Sequence, residues 1–275
     1  MINRYKEIQM KGRFGKDILP EKANIKCVSL GSVGNIAQII NSLYFMGDNC
    51  KEIYVDFIKK ELMEWVGQYP YDNVLDQEST EDYIDVSCWG NMLFDWDEEV
   101  LFDIRNKIQP YFKFKDDLLE IVNTFAQDNN INENTLGVHI RMSDMNAWHG
   151  SQFGYVYIED YIREIDALLD RGTIHNIFVA SDNKETLYKL KKHYKDIIYY
   201  PDVARTNNEH EEGDEPSLRV KGYERMTGMC NFYTPFIDML LLTKCGYFIG
   251  RKYSNFSIAA IMLGDMKYNN IINLS

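Results

Sequence analysis

From Thr135 to Asp144 the chain reads TLGVHIRMSD, a short apolar run that ends in charged and hydroxylic residues. Such a run suits a strand buried on both faces. Working outward, the downstream sequence repeats one alternation. Residues 158–170 have helical spacing, 174–181 are strand-like, 184–194 helical and 197–200 strand-like. After a polar stretch at 202–222 come a helix at 231–244, a strand at 247–250, a helix at 255–263 and a strand at 270–274. Strands alternating with helices at this interval predict a parallel sheet covered on both faces. In such sheets ligands bind beyond the carboxyl ends of the strands, so the polar residues there are the ones to weigh.

Upstream the pattern is looser. Residues 24–30 predict a strand, Gly31-Ser32-Val33-Gly34-Asn35 a glycine turn, and Ile36, Ile39, Ile40, Leu43 and Tyr44 a helix face. Alternation at 52–58 completes a first βαβ unit. The segment 59–109 is rich in aromatics and acids and has no sustained period until a helix at 98–108. A second helix is expected at 116–126. The turn-prone stretch Asp128 to Asn134 is the expected linker between an N-terminal lobe, residues 1–130, and a C-terminal lobe, residues 131–275. At about 150 residues per domain, 275 residues suffice for two modest lobes or one large one.

Composition narrows the function classes. With 45% hydrophobic and 26% charged residues the chain is globular in type. Its 30 Lys+Arg against 42 Asp+Glu leave a net charge of −12, which disfavours nucleic acid and anionic membrane surfaces as partners. A phosphate-bearing small ligand stays open, because screening makes only the local pocket matter. The five cysteines are scattered and form no CxxC pair, which argues against a zinc site or disulfide framework and for a reducing, cytoplasmic setting. The charged N-terminal residues lack a signal-peptide core. The most apolar stretch, 232–250, contains Asp238 and Lys244, so stable membrane insertion is not expected.

At the strand ends, His139 and Arg141 fall on one face, where a guanidinium fork would suit a diphosphate. Two readings stand: both residues serve the crevice, or Arg141 pairs with Asp144 and His139 is a satisfied core histidine. Ser181 and Asp182 stand where an acceptor meets a ribose hydroxyl or holds Arg141, with capping of the next helix by one of them as the plainer role on spacing alone. Ser254 and Asn255 open a helix whose amides and dipole favour anions, with ordinary capping as the plainer role of Ser254. Asp238 lies among Phe236, Ile237, Met239 and Leu240, where a carboxylate is costly unless paired. It has the acceptor geometry for the N1–H and N2–H₂ edge of guanine. The run Glu209 to Glu215 contains His210 and invites a metal reading, but charge runs are usually solvated loops, and no metal site is expected. Arg219, Lys221 and Arg225 are either diphosphate-closing cations or surface charges. Trp65, Tyr69, Trp89, Trp96 and Trp148 are either sugar-stacking platforms or, more commonly for aromatics, core.

Together these residues resemble the fucosyltransferase superfamily of α-1,2-, α-1,6- and protein O-fucosyltransferases. His139-Ile140-Arg141-Met142-Ser143-Asp144 resembles its HxRRxD signature, and Asp182 in VASDN its ASD element. Asp238, sixteen residues before Ser254, is similar in spacing to the guanine-binding aspartate and phosphate-binding serine of the α-1,6 enzymes. Ser254-Asn255-Phe256-Ser257 resembles the STFSWW box of bacterial α-1,2 enzymes, and Gly34-Asn35-Ile36-Ala37-Gln38 a degraded GxGNQxFQ opening. The resemblance spans roughly residues 25–57 and 135–274. Met142 replaces the second arginine, and Ile258 and Ala259 stand where the box has tryptophans, so the superfamily is implied rather than a linkage.

The resemblance implies an α/β, GT-B-like enzyme of two Rossmann-like lobes with parallel sheets. The N-terminal lobe would face the acceptor and the C-terminal lobe would bind the nucleotide sugar. The implied reaction is inverting transfer of L-fucose from GDP-β-L-fucose to a hydroxyl of an oligosaccharide, glycolipid or glycoprotein, with no cofactor and no metal. Arg141 would stabilise the departing GDP. His149, ten residues after His139 as the proposed base of the α-1,6 enzymes is, and Asp144 are the candidate bases. His139, Asp182, Asp238, Ser254, Asn255, Gly34 and Asn35 would bind the nucleotide sugar. The same fold with another nucleotide sugar, or a silent sugar-nucleotide or glycan-binding module, is the alternative. The absence of G-x-x-x-x-G-K-[ST] and G-x-S-x-G speaks against a phosphotransferase or hydrolase.

Overall fold

A computed structural model describes residues 23–29, 50–57, 74–75, 83–85, 98–109, 114, 116–142, 155–201, 205, 233–252 and 254–274. The chain divides into two compact units, Met1–Lys115 and Asp116–Ser275. In the first, strands β1 (Ala23–Ser29), β2 (Cys50–Phe57), β3 (Val74–Leu75) and β4 (Tyr83–Asp85) form a sheet of order β3-β2-β1-β4, with every pair parallel. The first two strands are the expected ones. The other two have two and three residues, too few to show any period. Helix α1 (Glu98–Ile108) carries Glu98 and Glu99 in its first turn, where acids complement the helix dipole.

The second unit opens with helix α2 (Asp116–Asp128), which buries Leu118, Val122 and Ala126 at intervals of four. It therefore belongs to this unit, and the division of the chain falls ahead of α2 rather than after it. The stretch read as a linker is instead the tight connection from α2 into the sheet. Asn130 takes the left-handed conformation at φ 54°. The Ile131 N–H then reaches the Ala126 carbonyl at 2.8 Å and the Asn130 N–H reaches Gln127 at 3.2 Å, the Schellman pattern of a helix end. Asn132 continues the turn by accepting from the Asn134 N–H at 2.9 Å.

Five parallel strands follow: β5 (Thr135–Ile140), β6 (Asn176–Ser181), β7 (Ile197–Ile198), β8 (Tyr247–Arg251) and β9 (Ile271–Leu274), in the order β7-β6-β5-β8-β9. They are linked through α3 (Ile158–Leu169), α4 (Lys184–His193), α5 (Tyr233–Thr243) and α6 (Asn255–Leu263). This is a Rossmann-like α/β arrangement. Central β5 is buried along its whole length, which is why its sequence is nearly continuously apolar. On one face Leu136, Val138 and Ile140 join Tyr161, Ile165 and Leu168 of α3 and Leu187 and Leu190 of α4 in a single core. On the other, α5 comes so close that a Cβ at Gly137 would lie 2.9 Å from Leu242 Cδ2 and 3.1 Å from Cys245 Cβ. Glycine at 137 is the sequence feature that admits α5 to the sheet. No described helix is long and apolar enough to cross a membrane.

The chain runs outward from β5 through β6 to β7, then returns to build β8 and β9 on the opposite side. The strand order therefore reverses between β5 and β8. At such a point the loops diverge and leave a crevice.

Candidate functional site at the strand-order reversal

His139, the penultimate residue of β5, faces α6. Its Nδ1 lies 2.8 Å from Ser257 Oγ, and its ring stacks on Phe256 with centroids 4.4 Å apart and planes 19° from parallel. Burial, with a smaller contribution from the neighbouring Arg141 charge, holds the imidazole down at about 3, so it is neutral at physiological pH. Of the two readings of His139, these contacts are those of a buried histidine seated against α6. Gly250 makes that seating possible, because a Cβ there would fall 2.7 Å from Ser257 Oγ and 2.6 Å from Phe248 Cε1. Gly250→Ala is expected to cost about 1–3 kcal/mol through overpacking, read as a lowered midpoint in thermal or urea unfolding. An unchanged midpoint would mean that the α6 turn gives way freely.

Arg141 directly follows the end of β5 and is half-exposed. Its Nε lies 3.6 Å from Asp182 Oδ2 across the gap between β5 and β6. Asp182 Oδ1 also accepts the Met142 N–H at 3.1 Å, so this carboxylate fixes both the side chain and the backbone at the end of β5. Of the roles open to Asp182 and Ser181, Asp182 is seen holding Arg141, and neither caps the helix. The cap of α4 is Asn183, which accepts the Thr186 N–H at 2.9 Å.

On the other side of the crevice Ser254 caps α6, its hydroxyl accepting the Ser257 N–H at 3.4 Å. Helix geometry leaves the first amides, those of Asn255 and Phe256, without an intrahelical acceptor, and the dipole adds partial positive charge there. Asn255 Oδ1 is buried with no hydrogen-bond partner among the described residues. Arg251, the last residue of β8, is buried against the α3 side, where it and Tyr161 interact electrostatically. Burial raises the Tyr161 phenol, Arg251 opposes that, and Asp182 and Asp160 reinforce it. The first turns of α3 therefore belong to the same charged rim.

Asp238 sits in α5, only 4% exposed, and its Oδ1 has no hydrogen-bond partner among the described residues. Burial lifts its carboxyl to about 8, against the opposing pull of Arg205. Arg205 is tied down by its own donors: Nε reaches the Ser181 carbonyl at 3.1 Å and Nη2 the Tyr200 carbonyl at 2.8 Å. The result is three guanidiniums, a helix N-terminus and a buried carboxyl around one set of strand ends. Chemically it suits a compact anion joined to a group rich in N–H donors. No group of three or more His, Cys, Asp or Glu side chains able to hold a metal occurs among the described residues.

This architecture has counterparts among solved structures. The apo form of POFUT1 aligns over 94% of this chain and 100% of its own, at 12% identity and a TM-score of 0.52. The chain shares the fold of POFUT1. POFUT1 in complex with GDP-fucose aligns over 94% and 99% of the two chains at 11% identity and a TM-score of 0.49. The fucosyltransferase NodZ from Bradyrhizobium aligns over 89% and 94% at 12% identity and a TM-score of 0.46. No protein-family model matches the sequence, and a search of curated proteins finds no match.

Within this fold the structure brings together His139, Arg141, Asp182, Ser254 and Asn255, and Asp238 interacts electrostatically with Arg205. Gly34, Asn35, Asp144 and His149 lie outside the described residues, as do Trp148, the acidic run at 209–215, Arg219, Lys221 and Arg225. Sequence reasoning missed Arg205 and Arg251 as site residues. Arg205 stands in a polar stretch with no period to mark it. Arg251 is visible as the charge that closes an apolar strand, and that signal was available.

Proposed function

We propose that the chain is an inverting glycosyltransferase that moves L-fucose from GDP-β-L-fucose to a hydroxyl of a glycan acceptor without a metal ion. The observation that carries this reading is the pairing of Arg141 with Asp182 at the ends of β5 and β6, next to the strand-order reversal between β5 and β8. As the bond from the sugar to the diphosphate breaks, negative charge builds on the departing GDP. The Arg141 guanidinium and the first amides of α6 are already oriented to receive it, which is how fixed dipoles replace a cation. Ser254 and Asn255 add contacts to the phosphates and ribose, and His139 holds α6 at the right distance from Arg141. Asp238 takes the guanine edge. The acceptor proton goes to His149 or Asp144, and Gly34 and Asn35 are further candidates for nucleotide-sugar contacts. In this reading the C-terminal unit holds the donor, the N-terminal unit faces the acceptor, and the enzyme works in the cytoplasm.

The test is nucleotide release from a panel of GDP-, UDP-, CMP- and dTDP-sugars, with and without acceptor glycans and EDTA. GDP release from GDP-fucose alone, stimulated by acceptor and indifferent to EDTA, is the expected result. Turnover of another nucleotide sugar would reassign the donor, and tight binding without turnover over a broad acceptor panel would point to a silent module.

A further inference from the structure

We propose that Tyr155 and Tyr157 form a stacking platform for a sugar ring of the acceptor. The platform rests on the glycosyltransferase reading above and gives the acceptor a contact within the second unit. The segment Tyr155-Val156-Tyr157 leads into α3 in extended conformation, with Tyr157 at φ −98° and ψ 163°. Side chains alternate along extended backbone, so the residues on either side of Val156 share the opposite face. Val156 is 3% exposed and belongs to the core under α3, whereas Tyr155 and Tyr157 are 52% and 57% exposed. Their rings stack with centroids 6.3 Å apart and planes 24° from parallel.

The pair is held in place without a ligand. Asp160 Oδ2 accepts the Tyr157 N–H at 2.9 Å, the Tyr157 carbonyl accepts the Asp160 N–H at 3.1 Å, and Arg163 Nη1 donates to Asp160 Oδ1 at 3.0 Å. Val156 and Ile158 anchor the same segment in one core with Ile140 at the end of β5. A backbone fixed in this way loses little freedom on binding. Because β5 and β6 are parallel, α3 runs back along the sheet and its first turn lies at the carboxyl ends of the strands, as Arg141 and Asp182 do. That is the end of the sheet where ligands bind.

The chemistry of the pair selects its occupant. A tyrosine offers an apolar ring face and a polar tip. A pyranose matches this with C–H groups on its faces and hydroxyls around its edge. Glu159, Asp160 and Arg163 follow in the first turns of α3 and supply acceptors and a donor for those hydroxyls. A protein partner fits poorly. Two half-exposed rings followed by charged residues fall far short of the roughly 800 Å² per partner that a stable interface covers.

Binding of the whole chain to an array of neutral and acidic oligosaccharides, with and without GDP, tests the platform. Wild type should retain a defined subset of saccharides, and the double variant Tyr155→Ala/Tyr157→Ala should bind that subset at least about tenfold more weakly. Tyr155→Phe/Tyr157→Phe keeps the rings and should stay within about threefold of wild type. Both side chains point outward, so the melting midpoints should agree. A wild type that binds no saccharide, or an alanine variant that binds as well as wild type, overturns the proposal. So does a phenylalanine variant as weak as the alanine one, because hydroxyls and not ring faces would then hold the sugar. Nucleotide release without acceptor separates the two readings. A chain that binds saccharides through these tyrosines yet turns over no nucleotide sugar defeats the transferase and leaves the platform, while transfer with an unchanged acceptor KM in the alanine variant does the reverse.

Discussion

Arg141→Ala should lower GDP release from GDP-fucose by about 10²- to 10³-fold, the loss associated with one preorganised donor to a developing negative charge. Stability should hardly change. The Arg141–Asp182 contact is 3.6 Å long and the Arg141 side chain is 41% exposed, so the ion pair contributes roughly 0–1 kcal/mol. Asp182 keeps the Met142 N–H in the variant, and the end of β5 stays tied to β6. The comparison to make is single-turnover GDP release beside a melting curve on the same preparation. A variant that loses activity only in proportion to its loss of folded protein would remove Arg141 from the chemistry. Retained activity with normal folding would do the same.

Asp238→Asn should separate stability from binding. The carboxyl titrates at about 8 in the folded chain against an ordinary value of 3.8, because burial penalises its charged form. Between those values the folded state holds a proton that the unfolded state has released. Stability contributed by this group is therefore fully present below about pH 4 and falls as pH rises toward 8, at roughly 1.4 kcal/mol per pH unit. Asparagine has no charge to bury, so the variant should melt higher than wild type near pH 8 and lose that part of the pH dependence. GDP binding should move the other way. The N–H donors of guanine select the carboxylate, so wild-type affinity should rise with pH and level off above about 8. The variant should bind GDP more weakly, by about 1.5–3 kcal/mol for each charged hydrogen bond lost, with a flat profile. Calorimetry in buffers of different ionisation enthalpy would count the proton released. Zero protons released below pH 8 would rule out this carboxylate as the base contact.

Much of the second unit is legible in the sequence because burial on two faces imposes long apolar runs. TLGVHI could hardly be anything but a central strand, and the polar residues after it mark where the strand meets solvent. Helix α3 declares itself through Ile158, Tyr161, Ile165 and Leu168. The polar run at 128–134 misled for a specific reason. Asparagines that favour a left-handed helix end look the same in sequence as a flexible linker, and only the packing of α2 within the second unit distinguishes them. Short β3 and β4 carry no period at all and owe their existence to the neighbours they pair with.

The site divides along the same line. Alternation along β5 correctly separates Gly137 and His139 from the face of Leu136, Val138 and Ile140, and it can say no more than that. Whether the imidazole faces solvent or α6 depends on how closely α6 approaches, which Gly250 and Ser257 settle from residues more than a hundred positions away. Local sequence thus determined the strands, the helices and the residues at the strand ends, because periodicity and capping are read within a few neighbours. Tertiary structure alone decided which of those residues meet: Arg141 with Asp182 and His139 with Ser257. Each pairing crosses from one strand or helix to another, and its energy exists only once the parallel sheet has brought those ends together.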